Sequence, residues 1–563
     1  MAIQWKFIVK EYARECGGKV KKNILILGAG LMQKPAILSA KELGFRCCVI
    51  DADENAICVN LADEFQKIDL KDKEKITEYA KKLQSSENSL AAVFTAGTDF
   101  SASVSYVCEQ CGLQQNSHSY QAALNASIKT KMRECFAQHG IPSPAFVSVQ
   151  KQDCNNQLIK KILQKMSFPL VVKPVDNMGA RGCRMIRYEN EFFSSVQTAV
   201  DYSRTQNAII EQYMEGPEFS IDALVYDGTF TVTGFAVRHI KYPPYFIEIG
   251  HTMPCQIDEK MHNQLISVFA LGAKALGLTC GAAKADIKFT KNGPMIGEIA
   301  ARLSGGYMSG WTFPYASDLN LTKQGILISA GMTPNELLEK RIPVDYEPSS
   351  LCQNHEKPYE LFEIPCVRTS AERAWYSIPG VVEYIENINE YSDKAVFDIL
   401  PRSQVQLGSK VDFPRNNVEK CGNVIAVSHN PQIAVQAAED AVSNIFITLK
   451  PDTKETDEFL FGQTKDDEKN FPPSAFPEIP EKILENLSGT IKENQKVSEC
   501  IPSVLQEQKY QEMKDWSFNT LEQIAYKFDI LRKRHPVLDL KIFWQTVIRG
   551  GLQAAVYLSD SVK

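Results

Sequence analysis

The stretch "GAAKADIKFTKNGPMIGEIAARLSGG", residues 281–306, decides the fold. Its first ten residues alternate strictly: Lys284, Asp286 and Lys288 fall on one face, and Ala283, Ala285, Ile287 and Phe289 on the other. A period of two is the mark of a strand with one polar and one apolar side. Lys291-Asn292-Gly293 is a hairpin turn signal, and a second apolar strand follows it. With the turn centred on Asn292, Asp286 pairs with Glu298, and two carboxylates stand opposite each other. Like charges so placed destabilise a sheet. A divalent cation between them removes the conflict, and hard oxygen donors beside phosphate are what Mg2+ takes. Ala300 and Arg302 follow on the face of Glu298, which puts Arg302 where it can neutralise a phosphoryl group or a bound carboxylate.

Upstream, "NILILGAG" from Asn23, a helical period through "KPAILSAKELG", "FRCCVIDAD" and "LAAVFTAGTD" read as the start of an open parallel α/β sheet. The Gly28-Ala29-Gly30 turn and Asp51 are placed as in a dinucleotide site, but position 33 is Gln, so the GxGxxG pattern is incomplete. A nicotinamide-dependent oxidoreductase is therefore the reading from a different class. The helix in "SIKTKMRECFAQHGIPSPAF" stops at Gly140, ahead of Pro142 and Pro144. In "FPLVVKPVDNMGARGCRMIRY" a buried strand ends at Lys173, and a loop bearing Gly179 and Gly182 follows, whose backbone N–H groups can wrap phosphate oxygens. In "AIIEQYMEGPEFSIDALVYDG" a strand ends at Glu211, a short crossing offers its backbone to a base edge, and Glu218 begins the next strand. A carboxylate there suits the vicinal diol of a ribose because it only accepts hydrogen bonds.

The chain has 563 residues, 44% hydrophobic and 23% charged, enough for about three to four domains. A net charge of -6 argues against a general nucleic-acid binder. Fifteen scattered cysteines form no disulfide framework and point to the reducing cytoplasm; Cys108 and Cys111 make a lone CxxC, to which no zinc is assigned. The N-terminus lacks an apolar signal core, and no stretch is long and apolar enough for a membrane span. The segment "PDTKETDEFLFGQTKDDEKNFPPSAFPEIPEK" is rich in Pro and charge and reads as a linker. The expected division is a helical leader at 1–22, an α/β domain at 23–126, a central domain at 127–342, an α+β domain at 343–450, a linker at 451–505 and a helical tail at 506–563.

Taken in order, these motifs resemble the ATP-grasp superfamily of carboxylate-amine ligases from about Asn23 to Gly331, and more loosely to Lys450. The resemblance implies an ATP-grasp fold with a parallel-sheet domain before it and an α+β domain after it. It implies ATP and Mg2+, or Mn2+ in its place, as cofactors, and small-molecule carboxylate and amine substrates in a cytoplasmic homodimer. It implies nucleotide contacts from Lys129, Lys173, Asn177, Gly179, Arg181, Gly182, Glu211, Gln212, Tyr213, Met214 and Glu218. Asp286 and Glu298 are implied as metal ligands, with Arg302 and Lys173 at the transferring phosphate. Gly28, Gly30, Arg238, Glu248, His251, Ser304 and Gly305 are the expected substrate side, Glu248 for an amine and Arg238 for a carboxylate. The family usually has Asn where this chain has Ala300, which removes one contact to metal or phosphate. The implied reaction is ADP-forming activation of a carboxylate as an acyl phosphate, then attack by an amine. A carboxyphosphate-forming enzyme and a regulatory ATP-binding protein are the alternatives.

Overall fold

The computed structural model describes residues 22–153, 155–387, 393–402, 404–462 and 471–561. The leader, apart from Lys22, and residues 463–470 of the expected linker lie outside the described residues. The chain forms two compact units, one holding residues up to Met178, Ile186–Arg238 and Thr252–Thr369, the other Gly179–Met185, His239–His251 and Ser370 onward. These cuts differ from the sequence-based division, because the chain crosses between units several times and period alone does not register a crossing. No helix among the described residues is long and apolar enough to cross a membrane.

The first unit opens with a parallel sheet in the order Glu64–Lys67, Arg46–Asp51, Asn23–Leu27, Leu90–Phe94. Ile24, Ile26, Cys47 and Val49 enter one core, and Leu25, Leu27, Cys48 and Ile50 another, with Cys108 and Cys111. Burial on both faces explains the unbroken apolar runs. Next, strands Phe146–Gln150 and Leu170–Pro174 flank Asn207–Gln212, both antiparallel to it. Their apolar side chains pack with helices Asn156–Leu163 and Phe192–Tyr202.

A third sheet runs in the order Gly293–Ala300, Gly281–Thr290, Glu218–Tyr226, Thr229–Lys241. Its apolar face, with Phe219, Ile221, Ala285 and Ile287, packs on helix Glu259–Leu276. Asp258 caps that helix by accepting from Met261 N, and Gly277 ends it at φ 85°. The opposite face of the sheet carries the polar residues considered next.

In the second unit, strands Thr369–Trp375, Gly422–Ser428 and Val396–Pro401 lie side by side, with helix Pro431–Asn444 joining Gly422–Ser428 to Ile445–Leu449. Here the linker expectation is corrected. Phe459, Phe471, Phe476, Leu484, Ile491 and Val497 are buried in one core with Trp375, Phe446 and the tail residues Trp516, Phe528, Phe543, Trp544 and Tyr557. Phe459 enters that core from helix Lys454–Phe461, Leu484 and Val497 from short helical turns, Ile491 from a two-residue strand, and Phe471 and Phe476 from segments that are neither, so the spacing shows no single helical or strand period. The tail belongs to the body of this unit. Its last helix, Leu540–Ser561, kinks at Gly551, whose φ of 63° and close approach to Asp515 leave no room for a Cβ.

Candidate functional site

Asp286 pairs with Glu298, and Lys284 with Ala300, as a turn centred on Asn292 requires, but next to the turn the register is one residue off: Thr290 pairs with Gly293 and Lys288 with Met295. One residue, Gly297, bulges between the pairs Asp286–Glu298 and Ile287–Ile296, and a Cβ there would stand 3.1 Å from Asp286 O. The neighbouring strand extends the polar face, setting Glu218 opposite Lys288, Ser220 opposite Asp286, and Asp222 opposite Lys284. Beyond it Arg238 pairs with Glu218.

Charges on this face are already matched. Asp286 accepts from Ser220 Oγ at 3.0 Å, pairs with Arg238 at 3.0 Å, and makes a short ion pair with Lys284. Burial alone would raise the Asp286 carboxyl, but Arg238 and Lys284 outweigh it and hold it low. Arg238 also reaches Glu218 Oε1 at 2.6 Å, and Lys288 stands 3.6 Å from Glu218. Arg238, expected at a substrate carboxylate, is thus placed between the expected ribose acid and the expected metal acid. Glu298 is the more open carboxylate, with Lys129 Nζ at 3.7 Å.

Lys129 opens helix Lys129–Gln138 and donates to Asn177 O at 2.8 Å. Four residues along the same helix, Arg133 is buried and bonds Glu211 at 2.8 Å and Gly297 O at 2.5 Å. Lys173 meets the other Glu211 oxygen at 2.6 Å. Glu211 is therefore an ion-pair hub, and its side chain is spent on two cations. At the strand end, Gln212 uses its side-chain amide on Ser167 and Pro169, while the backbone N–H groups of Gln212 and Tyr213 donate to Ala145 O and Pro169 O. Lys288 lies 4.8 Å over the Tyr213 ring, and the Met214 methyl comes within 3.7 Å of the Cβ position of Gly297. Asn177 donates through its amide to Tyr202 O and accepts from Met178 N.

Arg302 departs from the strand, which ends at Ala300, and turns to Asp99 at 2.8–2.9 Å. Burial would raise Asp99, but Arg302 first and Lys129 next pull it down. Ser304 is bound to Asp222, its N–H at 3.0 Å and its hydroxyl at 2.8 Å on the same oxygen. The Ser304 hydroxyl, expected on the substrate side, is thus committed to Asp222. The turn beyond it touches the first sheet: a Cβ on Gly305 would lie 3.1 Å from Gly97 O, and Gly97 N donates to Leu303 O. At the N-terminal turn Gly28 has φ 103°, and the Gln33 side chain lies against it, tied to Ala96 O at 2.6 Å. Asp51 accepts from Ala29 N at 2.7 Å. Gln33 occupies the space that the third glycine of a dinucleotide fingerprint leaves open, which argues against the oxidoreductase reading.

The remaining expected residues belong to the second unit. Gly179 and Gly182 hold positive φ, and Gly179 O accepts from Asn417 N at 2.9 Å; Arg181 lies between them. Glu248 and His251 are buried with Glu372 and Lys420: His251 Nδ1 is 2.5 Å from Glu372, and Lys420 Nζ is 3.2 Å from Glu248. Sequence reasoning missed Arg133, Asp99, Asp222 and Glu372. Asp222 alone carried a readable signal, because Glu218, Ser220 and Asp222 alternate on one strand face.

The donor set fits a cation and a polyphosphate together. Two hard carboxylates face each other in register, with Lys129 beside Glu298 and Lys284 and Arg238 beside Asp286, while Lys288 stands by Glu218.

A family model described as "ATP-grasp domain" matches residues 166–310. Human carnosine synthase 1 is 22% identical over 335 residues, covering 56% of this chain and 40% of that protein. Alanine–anticapsin ligase of Bacillus subtilis is 26% identical over 241 residues, covering 38% of this chain and 49% of its own. The chain thus spans about half or less of the length of these two relatives. Among solved structures, an L-amino acid ligase from Bacillus licheniformis superposes with a TM-score of 0.62 at 18% identity, over 77% of this chain and all of that one. A phosphoribosylglycinamide synthetase from Anaerococcus prevotii gives 0.56 at 20% identity, over 76% and 100%. Residues 166–310 are an ATP-grasp domain, set in a chain with the fold of these solved neighbours.

Proposed function

We propose that this protein is an ADP-forming ligase that activates a carboxylate with ATP as an acyl phosphate and couples it to an amine. The observation that carries the reading is the in-register opposition of Asp286 and Glu298 on a sheet face crowded with Lys and Arg. Phosphoryl transfer asks a protein for positioning and charge neutralisation, and this face supplies both.

In this reading Asp286 and Glu298 hold Mg2+, or Mn2+ in its place, and the ion when bound offsets charge on the phosphate oxygens. Lys129, Lys173 and Asn177 of the first unit meet phosphate oxygens; for Gly179, Arg181 and Gly182, which belong to the second unit, a phosphate role rests on the resemblance of the glycine-bearing loop alone. Lys173 and Arg133 stay poised because Glu211 holds them in place. The backbone from Glu211 to Met214, through Gln212 and Tyr213, takes the adenine edge, and Glu218 takes the ribose hydroxyls. Arg302, oriented by Asp99, meets the transferring phosphoryl group or the acyl phosphate. Gly28, Gly30 and the Ser304-Gly305 turn of the first unit form a wall for the carboxylate substrate; for Glu248 and His251, in the second unit, an amine-binding role rests on the resemblance of their segment alone. Arg238 steadies Glu218 and Asp286 rather than binding substrate.

The test is release of ADP and phosphate from Mg-ATP by the purified chain against a panel of amino acids and small carboxylic acids. Release should require a particular acid and amine, and Glu298→Ala should lower it about 10²–10³-fold. ATP binding with no pair-dependent release would remove the ligase reading. It would direct attention to Ala300, where the metal or phosphate contact is missing.

A further inference from the structure

In the first unit, Glu298 owes its place on the polar face to the bulge at Gly297. Continued beyond the pair Ile287–Ile296, the register set at the turn would put Gly297 opposite Asp286 and Glu298 opposite Ala285, a residue of the apolar core. The extra residue brings Glu298 to Asp286 instead, while Ile296 and Ile299 both enter the core. Residues an odd number apart point to opposite faces of a regular strand, so the burial of both isoleucines demands the bulge. Burial is non-directional, however, and does not fix the angle at which Glu298 leaves the strand.

Directional contacts do that, and they come from helix Lys129–Gln138. Strand Gly293–Ala300 is the edge of its sheet, so its outer backbone groups have no ladder partner among the described residues. Arg133 Nη2 donates to Gly297 O at 2.5 Å, and Ile299 N donates to Met132 Sδ at 3.4 Å, so the backbone is held on both sides of Glu298. Arg133 is 1% exposed, and its Nε donates to Glu211 Oε1 at 2.8 Å. A rigid planar fork anchored on one carboxylate presents its other edge at a set distance and angle. Glu211 aims Arg133, and Arg133 pins the bulge. One turn earlier on the same helix, Lys129 stands 3.7 Å from the Glu298 carboxylate itself.

We propose that Arg133 is a positioning residue for the metal site: by holding Gly297 O from its anchor on Glu211, it keeps the Glu298 carboxylate turned to Asp286, so that both serve one divalent cation. This rests on the ligase reading above, in which those two carboxylates hold Mg2+. The hydrogen bonds of Arg133 go to Glu211, Gly297 and Met132, so it acts through the strand and not on the ion. Losing a group that orients a metal ligand in this way costs about 10–100-fold in metal affinity.

The experiment uses the full chain with Mn2+ as the probe. Mn2+ is titrated in the presence of saturating ADP, well below the thermal midpoint of each variant, and the bound ion is read by electron paramagnetic resonance. Glu298→Ala marks the binding that belongs to the site. Arg133→Lys keeps the charge beside Glu211 but gives up the fork, and should weaken Mn2+ about 10–100-fold. If that variant does not fold, the neutral pair Arg133→Gln with Glu211→Gln is compared with Glu211→Gln alone, and the added Arg133→Gln should weaken Mn2+ by the same order. Unchanged affinity in the variant read overturns the positioning role and leaves the ligase reading standing. Wild-type binding indifferent to Glu298→Ala overturns the inference by removing the metal site on which Arg133 acts. Weakened Mn2+ in the variant, with no acid- and amine-dependent ADP release in the wild type, supports the positioning role and removes the ligase reading alone.

Discussion

Two carboxylates of the first unit are withdrawn from water to almost the same degree, and the fold treats them in opposite ways. Glu211 is 2% exposed and receives two cations, Arg133 and Lys173. Asp222 is 0% exposed and receives only the amide and hydroxyl of Ser304 on one oxygen, while its other oxygen has no hydrogen-bond partner among the described residues. Burial raises both groups; at Glu211 the cations outweigh it and the carboxyl is held low, whereas Asp222 is pushed up to about 6. Partners, not depth, decide whether a buried acid keeps its charge. The first acid is a clamp for cations that the proposed function assigns to the nucleotide. The second is a strut for the turn that carries Gly305 against Gly97.

The largest effect comes from breaking the clamp. Glu211→Leu leaves Arg133, 1% exposed, and Lys173 without their shared counter-ion, and should cost about 3–5 kcal/mol. The thermal midpoint read by calorimetry should fall steeply, and Glu211→Gln, which keeps the shape and one acceptor, should fall less. The folded carboxyl lies below its unfolded value near 4.5, so its contribution is complete above that value and is lost as pH falls toward the folded pKa. An unchanged midpoint would mean that the two cations have found other acceptors, and the contrast with Asp222 would collapse.

Asp222→Asn should act with the opposite sign. The folded carboxyl is raised from 3.8 to about 6, so the stability it contributes is complete below 3.8 and lost as pH rises through 6. At pH near 8 the ionised form is a liability that asparagine removes, a gain of up to about 3 kcal/mol from a shift of about two pKa units. Near pH 4 the variant and the wild type should coincide. The midpoint difference between them, followed from pH 4 to 8, should therefore grow with pH. A flat difference would show that Asp222 is not the buried titrating group.

The legible parts of this molecule are those in which one local rule decides the answer. The polar face with Lys284 and Asp286 followed from a strict period of two, and the Asp286–Glu298 pair from the turn signal, although the pairs beside the turn stand one residue off that register. The Gly297 bulge was not visible: the turn pairs Thr290 with Gly293, which alone would set Asp286 opposite Gly297, and the bulge is what moves Glu298 into that place. Arg133 was hidden by its neighbours: "KTKMRECF" reads as a solvated helix face, and the partner that buries it lies 78 residues away. The segment after Pro451 failed for a related reason. Its prolines and charges read as a linker, while Phe471 and Phe476 were placed by irregular segments and Leu484 by a short helical turn, and their spacing follows no period. Glu372 sits in a strand buried along its whole length, where alternation has no polar face to mark.

The smallest effect is the one that ties the strut to the turn. Ser304→Ala removes the hydroxyl that donates to Asp222 and leaves the backbone N–H on the same oxygen. A net loss of about 1 kcal/mol is expected. Because that hydroxyl favours the ionised carboxylate, its removal should also raise Asp222 further and extend the pH range over which the protein weakens. The double variant with Asp222→Asn decides whether the two effects are one. Asparagine can still accept from the hydroxyl but carries no charge, so the cost of Ser304→Ala should shrink in that background, and the difference is the coupling between the pair. If the cost is the same in both backgrounds, Ser304 acts through another contact. The turn at Gly305 would then be held by its backbone approach to Gly97 alone.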